Sequence, residues 1–246
     1  APVAQLFGQG ERRFEDDPVH HLSKTGGLAP KTCFNTRVSQ HRRFAFTSVP
    51  LDDVKAVKAE LGVTVNDVVL GMCAGALRTY LEKKGELPEE SLRCFIPVSV
   101  RTDEQAGAHG NQVSGMLAAL ATDVADPIAR LEVIRQETAH AKESLGALPA
   151  NLLTDVVDFA PPAMTARVAR VVMRTSLANR INPPFNLIIS NVPGPQIPLY
   201  AGGAEMLHYF PVSAVANTQG LNITIQSYNG SCDFGLVACR DAVPDL

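Results

Sequence analysis

The hydrophobic positions along the chain recur most regularly between Val65 and Leu81, and this stretch predicts a central helix. Apolar side chains return there every three or four residues, which is the spacing of one buried helix face. Thr64 and Asp67 form the pattern of a capping box before the stretch, and Gly85 follows it, as expected at the two ends of a helix. The width of the apolar stripe predicts a helix in the middle of the core.

A different pattern at Phe185–Pro195 (FNLIISNVPGP) predicts a buried strand that ends abruptly. The unbroken apolar run at 187–189 is typical of a strand covered on both faces, and the following Pro and Gly residues stop it. Ser190 and Asn191 therefore fall at the end of this strand, where polar side chains are costly unless they find a partner. They are candidates for a functional site. The alternative is that they only hydrogen-bond the backbone of the turn.

The rest of the chain mixes helical and strand-like segments without an internal repeat. Asp126-Pro127 opens a helix with proline at its first position, and Tyr228–Ser231 contains the Asn-Gly pair of a tight hairpin. This order predicts an α+β (mixed α/β) fold in which helices pack on a mixed sheet. We expect strands at Phe44–Val49, Leu92–Val100, Val113–Ala121, Glu205–Val215, Leu221–Gln226 (half-buried) and Phe234–Cys239, and further helices at Pro50–Leu61, Leu148–Phe159 and Pro161–Asn179.

Domain organisation and composition set limits on function. Residues 1–42 combine Gly, Pro and charge without periodicity, which predicts a linker or crossover arm before one domain at 43–246. The net charge of −3 gives no reason to expect nucleic acid as a partner. None of the five cysteines forms a CxxC pair, so we expect reduced thiols in a cytoplasmic protein and no metal site. No apolar stretch is long enough to span a bilayer.

The chain contains no recognisable set of nucleophile, base and orienting group. We find no GxSxG elbow, phosphate loop or dinucleotide fingerprint. No carboxylate follows His20-His21 at the helical spacing that would complete a zinc site, so a catalytic role for this pair is the less favoured interpretation. Asn66 and Asp67 stand at the start of the central helix, where they could orient a loop or a ligand. The simpler interpretation is that Asp67 caps the helix, worth ~1 kcal/mol.

Arg167, Arg170 and Arg174 share one face of the predicted helix after Pro162. A basic amphipathic helix can lie on an anionic membrane surface or meet a phosphorylated ligand. Such a row of charges is more often a solvated helix face, and that is the favoured interpretation.

Several separated motifs, in the same order, resemble those of the bacterial wax ester synthase/diacylglycerol acyltransferases. The likeness extends from Pro30 to Leu246, and a series of motifs in order is more specific than any one of them. The motifs are PKTCFN (Pro30–Asn35), QHRR (Gln40–Arg43), TVNDVVL (Thr64–Leu70), IPVSVR (Ile96–Arg101), HGNQ (His109–Gln112), SNVPGP (Ser190–Pro195) and NITIQSYNG (Asn222–Gly230).

This resemblance implies a chloramphenicol-acetyltransferase-like domain of a CoA-dependent acyltransferase. Enzymes of that family have two similar domains with a tunnel between them, and a His of an HHxxxDG motif in the N-terminal half removes a proton from the acceptor. The segment His20–Gly26 mimics that motif but has Thr25 where Asp is needed. The resemblance therefore implies that this chain is the C-terminal half and holds no catalytic residue. Its implied contribution is Asn66 and Asp67 as active-site support, with Ser190, Asn191 and Gly194 along the tunnel.

The implied activity is transfer of a long-chain acyl group from acyl-CoA to diacylglycerol or a long-chain alcohol, giving triacylglycerol or wax ester. Acyl-CoA is then a substrate, and no cofactor or metal is expected. The implied partner is the N-terminal half of the same enzyme, in a cytoplasmic protein at the periphery of membranes or lipid droplets. The alternatives are a non-catalytic lipid-binding or interaction module of the same fold, and an acyltransferase of this fold with another hydroxyl acceptor.

Overall fold

A computed structural model describes residues 28–99, 113–147 and 182–246. The predicted helices at 148–159 and 161–179, the row of arginines, the loop at 100–112 and His20-His21 lie outside these ranges. The strands are β1 (Arg42–Pro50), β2 (Arg93–Ser99), β3 (Val113–Ala119), β4 (Leu187–Val192), β5 (Tyr200–Ala201), β6 (Ala204–Glu205), β7 (Leu221–Tyr228) and β8 (Ser231–Cys239), and the helices are α1 (Leu51–Leu61), α2 (Val65–Lys84) and α3 (Pro127–Ala147).

The described part of the chain forms a mixed six-stranded sheet in the order β1-β8-β7-β4-β2-β3, with β5 and β6 as a separate pair. Strand β4 lies between β2 and β7 and runs parallel to both, whereas the other neighbours pair antiparallel. Helix α2 packs against both α1 and α3. Helix α1 contacts β1 and β8, α2 contacts β4, and α3 contacts β3. The predicted α+β class, a mixed sheet with helices packed on it, is confirmed.

Helix α2 lies in the core, as its apolar periodicity predicts. Val69, Leu70 and Leu81 are buried and join one cluster with Leu187 and Ile189 of β4. Both predicted ends are present, because the Thr64 side chain caps the first turn and the residue after the last turn is a left-handed glycine. Burial of this stripe against the sheet, rather than helix propensity, supplies most of the stability of such a helix.

The C-terminal half of α2 lies at the edge of the sheet where the parallel strands begin. The Tyr80 hydroxyl donates to Asp245 (2.9 Å), beyond the end of β8, and Arg78 donates to the Thr122 carbonyl (2.6 Å), beyond the end of β3. Because β8 and β3 run antiparallel to β7 and β2, their ends mark where β7 and β2 begin. A helix of 20 residues spans about 30 Å, so its first turn points toward the opposite edge, where β4 ends.

The segment before β1 packs on the domain. Phe34 is fully buried, and the Asn35 amide donates to the Asn186 and Thr218 carbonyls (2.9 and 2.8 Å). The Asn186 amide in turn donates to the Asn35 side-chain oxygen (2.8 Å). Residues 28–41 are therefore tied to the start of β4, while the separation of residues 1–42 as an interdomain arm stays a prediction.

The predicted strand at Glu205–Val215 is wrong. Only Ala204–Glu205 is a strand, and residues 206–215 run over the sheet without pairing along it. Side-chain and backbone contacts hold this segment instead: Tyr209 N–H donates to Asp233 (2.7 Å), and a Cβ at Gly235 would overlap the Pro211 carbonyl. The segment is rich in apolar residues, but it has no ladder partner because it crosses a sheet face.

The same segment explains a second correction. Leu221–Gln226 is a strand, but it is not half-buried, because Asn222, Thr224 and Gln226 are buried as well. Strand β7 lies inside the sheet, and the crossing segment contacts its second face, where Ser213 and Thr224 hydroxyls lie 2.6 Å apart. The predicted hairpin is present, with positive φ at Asn229 and Gly230, as a tight primed turn requires.

Among the described residues, no single helix has both the length and the apolar composition to cross a membrane. Helices α1 and α2 would meet that test only in combination, and they are bent by 104° relative to each other.

Candidate functional site

The ends of β2, β4 and β7 form one edge of the sheet, which we call the carboxyl edge. In sheets with parallel strands, ligands bind in the crevice outside this edge. Ser190 and Asn191 end β4 there, and the first turn of α2, with Asn66 and Asp67, is directed toward it. The topology therefore brings the two predicted groups of site residues to the same side of the domain.

Asp67 is buried and uses both carboxylate oxygens inside the protein. Oδ2 accepts from the backbone N–H and the hydroxyl of Thr64 (2.9 and 2.7 Å), and Oδ1 accepts from the Thr138 hydroxyl of α3 (2.8 Å). Helix α3 runs antiparallel to α2, since Arg130 lies beside Gly75 while Thr138 reaches the start of α2. Asp67 therefore caps α2, as the simpler interpretation holds, and also fixes its first turn to α3.

The adjacent Asn66 has different surroundings. Its side chain is half-buried and makes no hydrogen bond to any described residue. Because Asp67 immobilises the turn that carries it, the Asn66 amide is held in place while both of its polar atoms stay available at the carboxyl edge.

Ser190 and Asn191 also keep their hydrogen-bonding capacity. Both are half-buried, and neither side chain hydrogen-bonds to the described part of the chain. Alternation along β4 places Asn191 on the face with buried Leu187 and Ile189, and Ser190 on the other face beside Thr224. The turn backbone is held by other groups, because Gly194 N–H donates to the Ser227 hydroxyl (3.1 Å).

Gly194 lies where the turn after β4 touches the end of β7. A Cβ at this position would overlap the Ser227 carbonyl oxygen and the Gln226 Nε2 atom. A glycine is therefore required for the close approach, and the contact fixes the path of the turn along the carboxyl edge.

Two polar side chains near this region, Gln226 and Asp233, were not predicted from the sequence. Gln226 is buried beside Gly194, and its place in an apolar-polar alternation made it look like a solvent-facing residue. Asp233 is fully buried and receives the Ser231 hydroxyl (2.7 Å) and Tyr209 N–H, with His208 Nδ1 at 3.0 Å. The available sequence signal for Asp233 was a single acidic residue directly before the apolar run at Phe234–Cys239.

Cys33 and Cys73 lie in surroundings that suppress thiol reactivity, and possible metal ligands are scattered in the described ranges. They contain no group of three or more His, Cys, Asp or Glu residues that could hold a metal ion. Burial raises the pKa of Cys33 to about 11 and that of Cys73 to about 12, so both thiols are protonated near neutral pH and are poor nucleophiles. A shallow concavity lined by residues 37–41 and Asp241 lies near the start of β1, at the edge opposite the candidate site.

Comparison with known families gives matches over much of the chain. The WS/DGAT C-terminal domain matches residues 109–246. The wax ester synthase/diacylglycerol acyltransferase catalytic domain matches residues 12–69.

Curated relatives carry similar names. A Mycobacterium tuberculosis protein provisionally named a diacylglycerol O-acyltransferase is 42% identical over 222 residues, which is 89% of this chain and 43% of that protein. A Mycobacterium bovis protein, also provisionally named a diacylglycerol O-acyltransferase, is 43% identical over 220 residues, 89% of this chain and 47% of that protein. The chain thus spans less than half the length of these relatives.

Solved structures show the same fold. The wax ester synthase/diacylglycerol acyltransferase from Marinobacter aquaeolei VT8 superposes with a TM-score of 0.67 and 34% identity, over 93% of this chain and 50% of that chain. The starter condensation domain of rhizomide synthetase has a TM-score of 0.51 at 13% identity, over 91% of this chain and 45% of that chain, a likeness of fold alone.

Proposed function

The chain belongs to the wax ester synthase/diacylglycerol acyltransferase family, and we propose that it supplies the C-terminal half of an enzyme that transfers an acyl group from acyl-CoA to a hydroxyl group. The acceptor is diacylglycerol or a long-chain alcohol, and the product is triacylglycerol or a wax ester. The match of residues 109–246 to the C-terminal domain of this family carries the proposal. Acyl-CoA is a substrate here, and the reaction as proposed uses no cofactor.

In the proposed reaction the acceptor oxygen attacks the thioester carbonyl carbon while a general base removes the hydroxyl proton. The C–S bond then breaks, the protonated base returns the proton to the sulfur, and CoA leaves as its thiol. We assign the base to the HHxxxDG histidine of the N-terminal half. The contribution of this chain is to position the acyl donor against that half, since correct orientation of two reactants removes a large part of the barrier.

Positioning is assigned to the carboxyl edge. Asn66 keeps a free amide on a turn that Asp67 fixes, which suits a group that braces the catalytic loop from across a domain interface. Ser190, Asn191 and Gly194 follow one another at the end of β4, which suits a wall along the path of acyl-CoA. Because both proposed acceptors are lipids, we place the enzyme at the periphery of membranes or lipid droplets.

The test is an acyltransferase assay on the complete protein that contains this chain. Purified protein is given a long-chain acyl-CoA with diacylglycerol or with hexadecanol, and release of free CoA and formation of the ester are both measured. We expect ester formation with at least one acceptor. The double variant His20→Ala/His21→Ala is a control within this chain, and it should retain activity because the resemblance assigns the base elsewhere.

Loss of activity in that double variant would show that the base lies in this chain and would contradict the assignment. A complete, folded protein that binds acyl-CoA or lipid but forms no ester would support the alternative, a non-catalytic lipid-binding module. Ester formation with a different hydroxyl compound alone would retain the reaction class and change the substrate.

A further inference from the structure

One buried polar side chain in the sheet lacks a protein partner. Gln226 of β7 is only 8% exposed, yet its side-chain amide makes no hydrogen bond to any described residue. The neighbouring polar side chains on the same face of β7 do have partners. The Thr224 hydroxyl donates to Asn222 (2.9 Å) and lies 2.6 Å from the Ser213 hydroxyl. The amide atoms of Gln226 themselves are not enclosed, because neither belongs to the completely buried side-chain atoms of the described chain that lack a hydrogen bond. Solvent, or a ligand in its place, therefore reaches the Gln226 amide.

The position of Gln226 connects it to the carboxyl edge. In the strand register it lies between Val192 of β4 and Asp233 of β8. Its Nε2 atom occupies the space that a Cβ at Gly194 would need. The glycine of the turn therefore leaves room for this amide, directly after the strand that carries Ser190, whose hydroxyl is also unpaired among the described residues.

The chemistry of the side chain selects the ligand. A glutamine amide offers two N–H donors and a carbonyl acceptor and carries no charge, so it matches a secondary amide, which has one donor and one acceptor. The pantetheine arm of acyl-CoA carries such amides near the thioester. Diacylglycerol and fatty alcohols offer only ester oxygens and hydroxyl groups.

The geometry points to Gln226 as a positioning residue that hydrogen-bonds an amide of the pantetheine arm of acyl-CoA. This inference rests on the function proposed above. It adds a residue from β7 to the path of the acyl donor. Gln226 lies inside the motif NITIQSYNG (Asn222–Gly230), to which the resemblance had assigned no site residue.

The experiment replaces Gln226 with Leu in the complete protein, which removes the polar atoms at nearly constant length. CoA binding is measured by calorimetry, the KM values for acyl-CoA and for the acceptor by steady-state kinetics, and Tm by thermal unfolding. We expect roughly 10-fold weaker CoA binding, in line with loss of a hydrogen bond, and a KM for acyl-CoA raised by about the same factor. The KM for the acceptor should not change, and Tm should be unchanged because the amide has no hydrogen bond to a described residue to lose.

Gln136→Leu is the matched control, because the Gln136 amide is paired with Glu132 (2.9 Å) on α3, and this variant should bind CoA like the wild type. A lower Tm with unchanged CoA affinity for Gln226→Leu would make Gln226 a structural residue and overturn the inference. A raised KM for the acceptor alone would overturn it too, by placing an acceptor hydroxyl at this amide. Weaker CoA binding by the variant, in a protein that forms no ester, would refute the transferase proposal and leave the CoA contact standing.

Discussion

At the start of α2, Asp67 contributes to stability, whereas the neighbouring Asn66 is proposed to contribute to function. Asp67 is buried with three hydrogen bonds to its carboxylate, whereas Asn66 is half-buried with none to the described residues. The capping-box spacing of Thr64 and Asp67 predicts part of this difference. The rest arises from Thr138, which lies on another helix and reaches only one of the two side chains.

Replacement of each residue by Ala should therefore give opposite results. Asp67→Ala removes the three hydrogen bonds to the carboxylate, two from Thr64 and one from Thr138, so we expect the free energy of unfolding to fall by about 2–4 kcal/mol. Asn66→Ala should change it by less than about 0.5 kcal/mol and should lower transferase activity of the complete protein by at least roughly 10-fold, the loss expected for one positioning contact. Urea unfolding and the ester assay on both variants are the measurements.

Thr138→Val serves as a control for the Asp67 result, since it removes the same hydroxyl from α3 and should destabilise without touching Asn66. Unchanged activity of a folded Asn66→Ala protein would remove the proposed bracing role.

The candidate site shows how far single residues can be predicted. Asn66, Ser190 and Asn191 were singled out by their place at the ends of elements and by family motifs, and the structure leaves their polar atoms unpaired within the described ranges. Their roles remain predictions. Gln226 lies in a family motif but was not singled out, because alternation along β7 predicts a solvent-facing side chain, whereas the structure buries this residue beside Gly194.

At the scale of elements, the contact between β2 and β3 depends on Gly115 of β3, which has no side chain. Phe95 of β2 lies across Gly115 of β3, and a Cβ at position 115 would overlap its ring. Aromatic covering of a strand glycine in this manner restores the packing that the glycine itself lacks.

Gly115→Ala should therefore weaken the edge of the sheet. We expect a loss of about 1–3 kcal/mol in the free energy of unfolding, the usual cost of overpacking. Combined with Phe95→Leu, the same substitution should cost much less, because the ring is gone. A double-mutant cycle by urea unfolding measures this coupling, and additive losses would show that the ring and the glycine act independently.

Element type was predictable where the pattern is local. Helix α2 was found from apolar spacing and caps, and the hairpin at Asn229-Gly230 from two residues. The predicted strand at 205–215 failed for a physical reason, since an apolar chain segment can cover a sheet face without pairing in a ladder. Whether an apolar segment joins a ladder is decided by partners far along the chain, as with β4 and β7.

At the scale of the whole molecule, the described residues leave much apolar surface uncovered. Large apolar side chains that are more than 60% exposed lie on β1 and in the segment after Pro195. They are Phe46, Ile197, Tyr200, Leu207 and Val212. Large exposed apolar patches mark interaction surfaces, and the proposed N-terminal half is the expected cover.

This chain produced alone should therefore bind an apolar dye such as ANS and self-associate, whereas the complete protein should do neither. Fluorescence titration and gel filtration of the two proteins, at equal concentration, are the measurements. A monomeric chain that does not bind the dye would show that the exposed side chains need no partner.

Fold class and family were both predictable, and for different reasons. The order of elements favoured a mixed sheet with helices, which the structure confirms, while the family came from several short motifs in a fixed order rather than from hydrophobic periodicity. The chain spans less than half the length of the curated relatives, and its place as a C-terminal half stays a prediction. Sheet order could not be predicted, since it depends on pairing between distant strands.

The sheet order also determines when the domain can form during synthesis. Strand β1 is made first, and within the described chain it pairs only with β8, which is made last. Strand β4 likewise lies unpaired on one side until β7 emerges. Pairing over such distances is slow, because a long loop must be closed before any contact forms. If a ribosome stalls before the hairpin at 229–230, the released chain contains β1 without its partner strand β8. Such a chain would be unfolded when quality-control proteases encounter it.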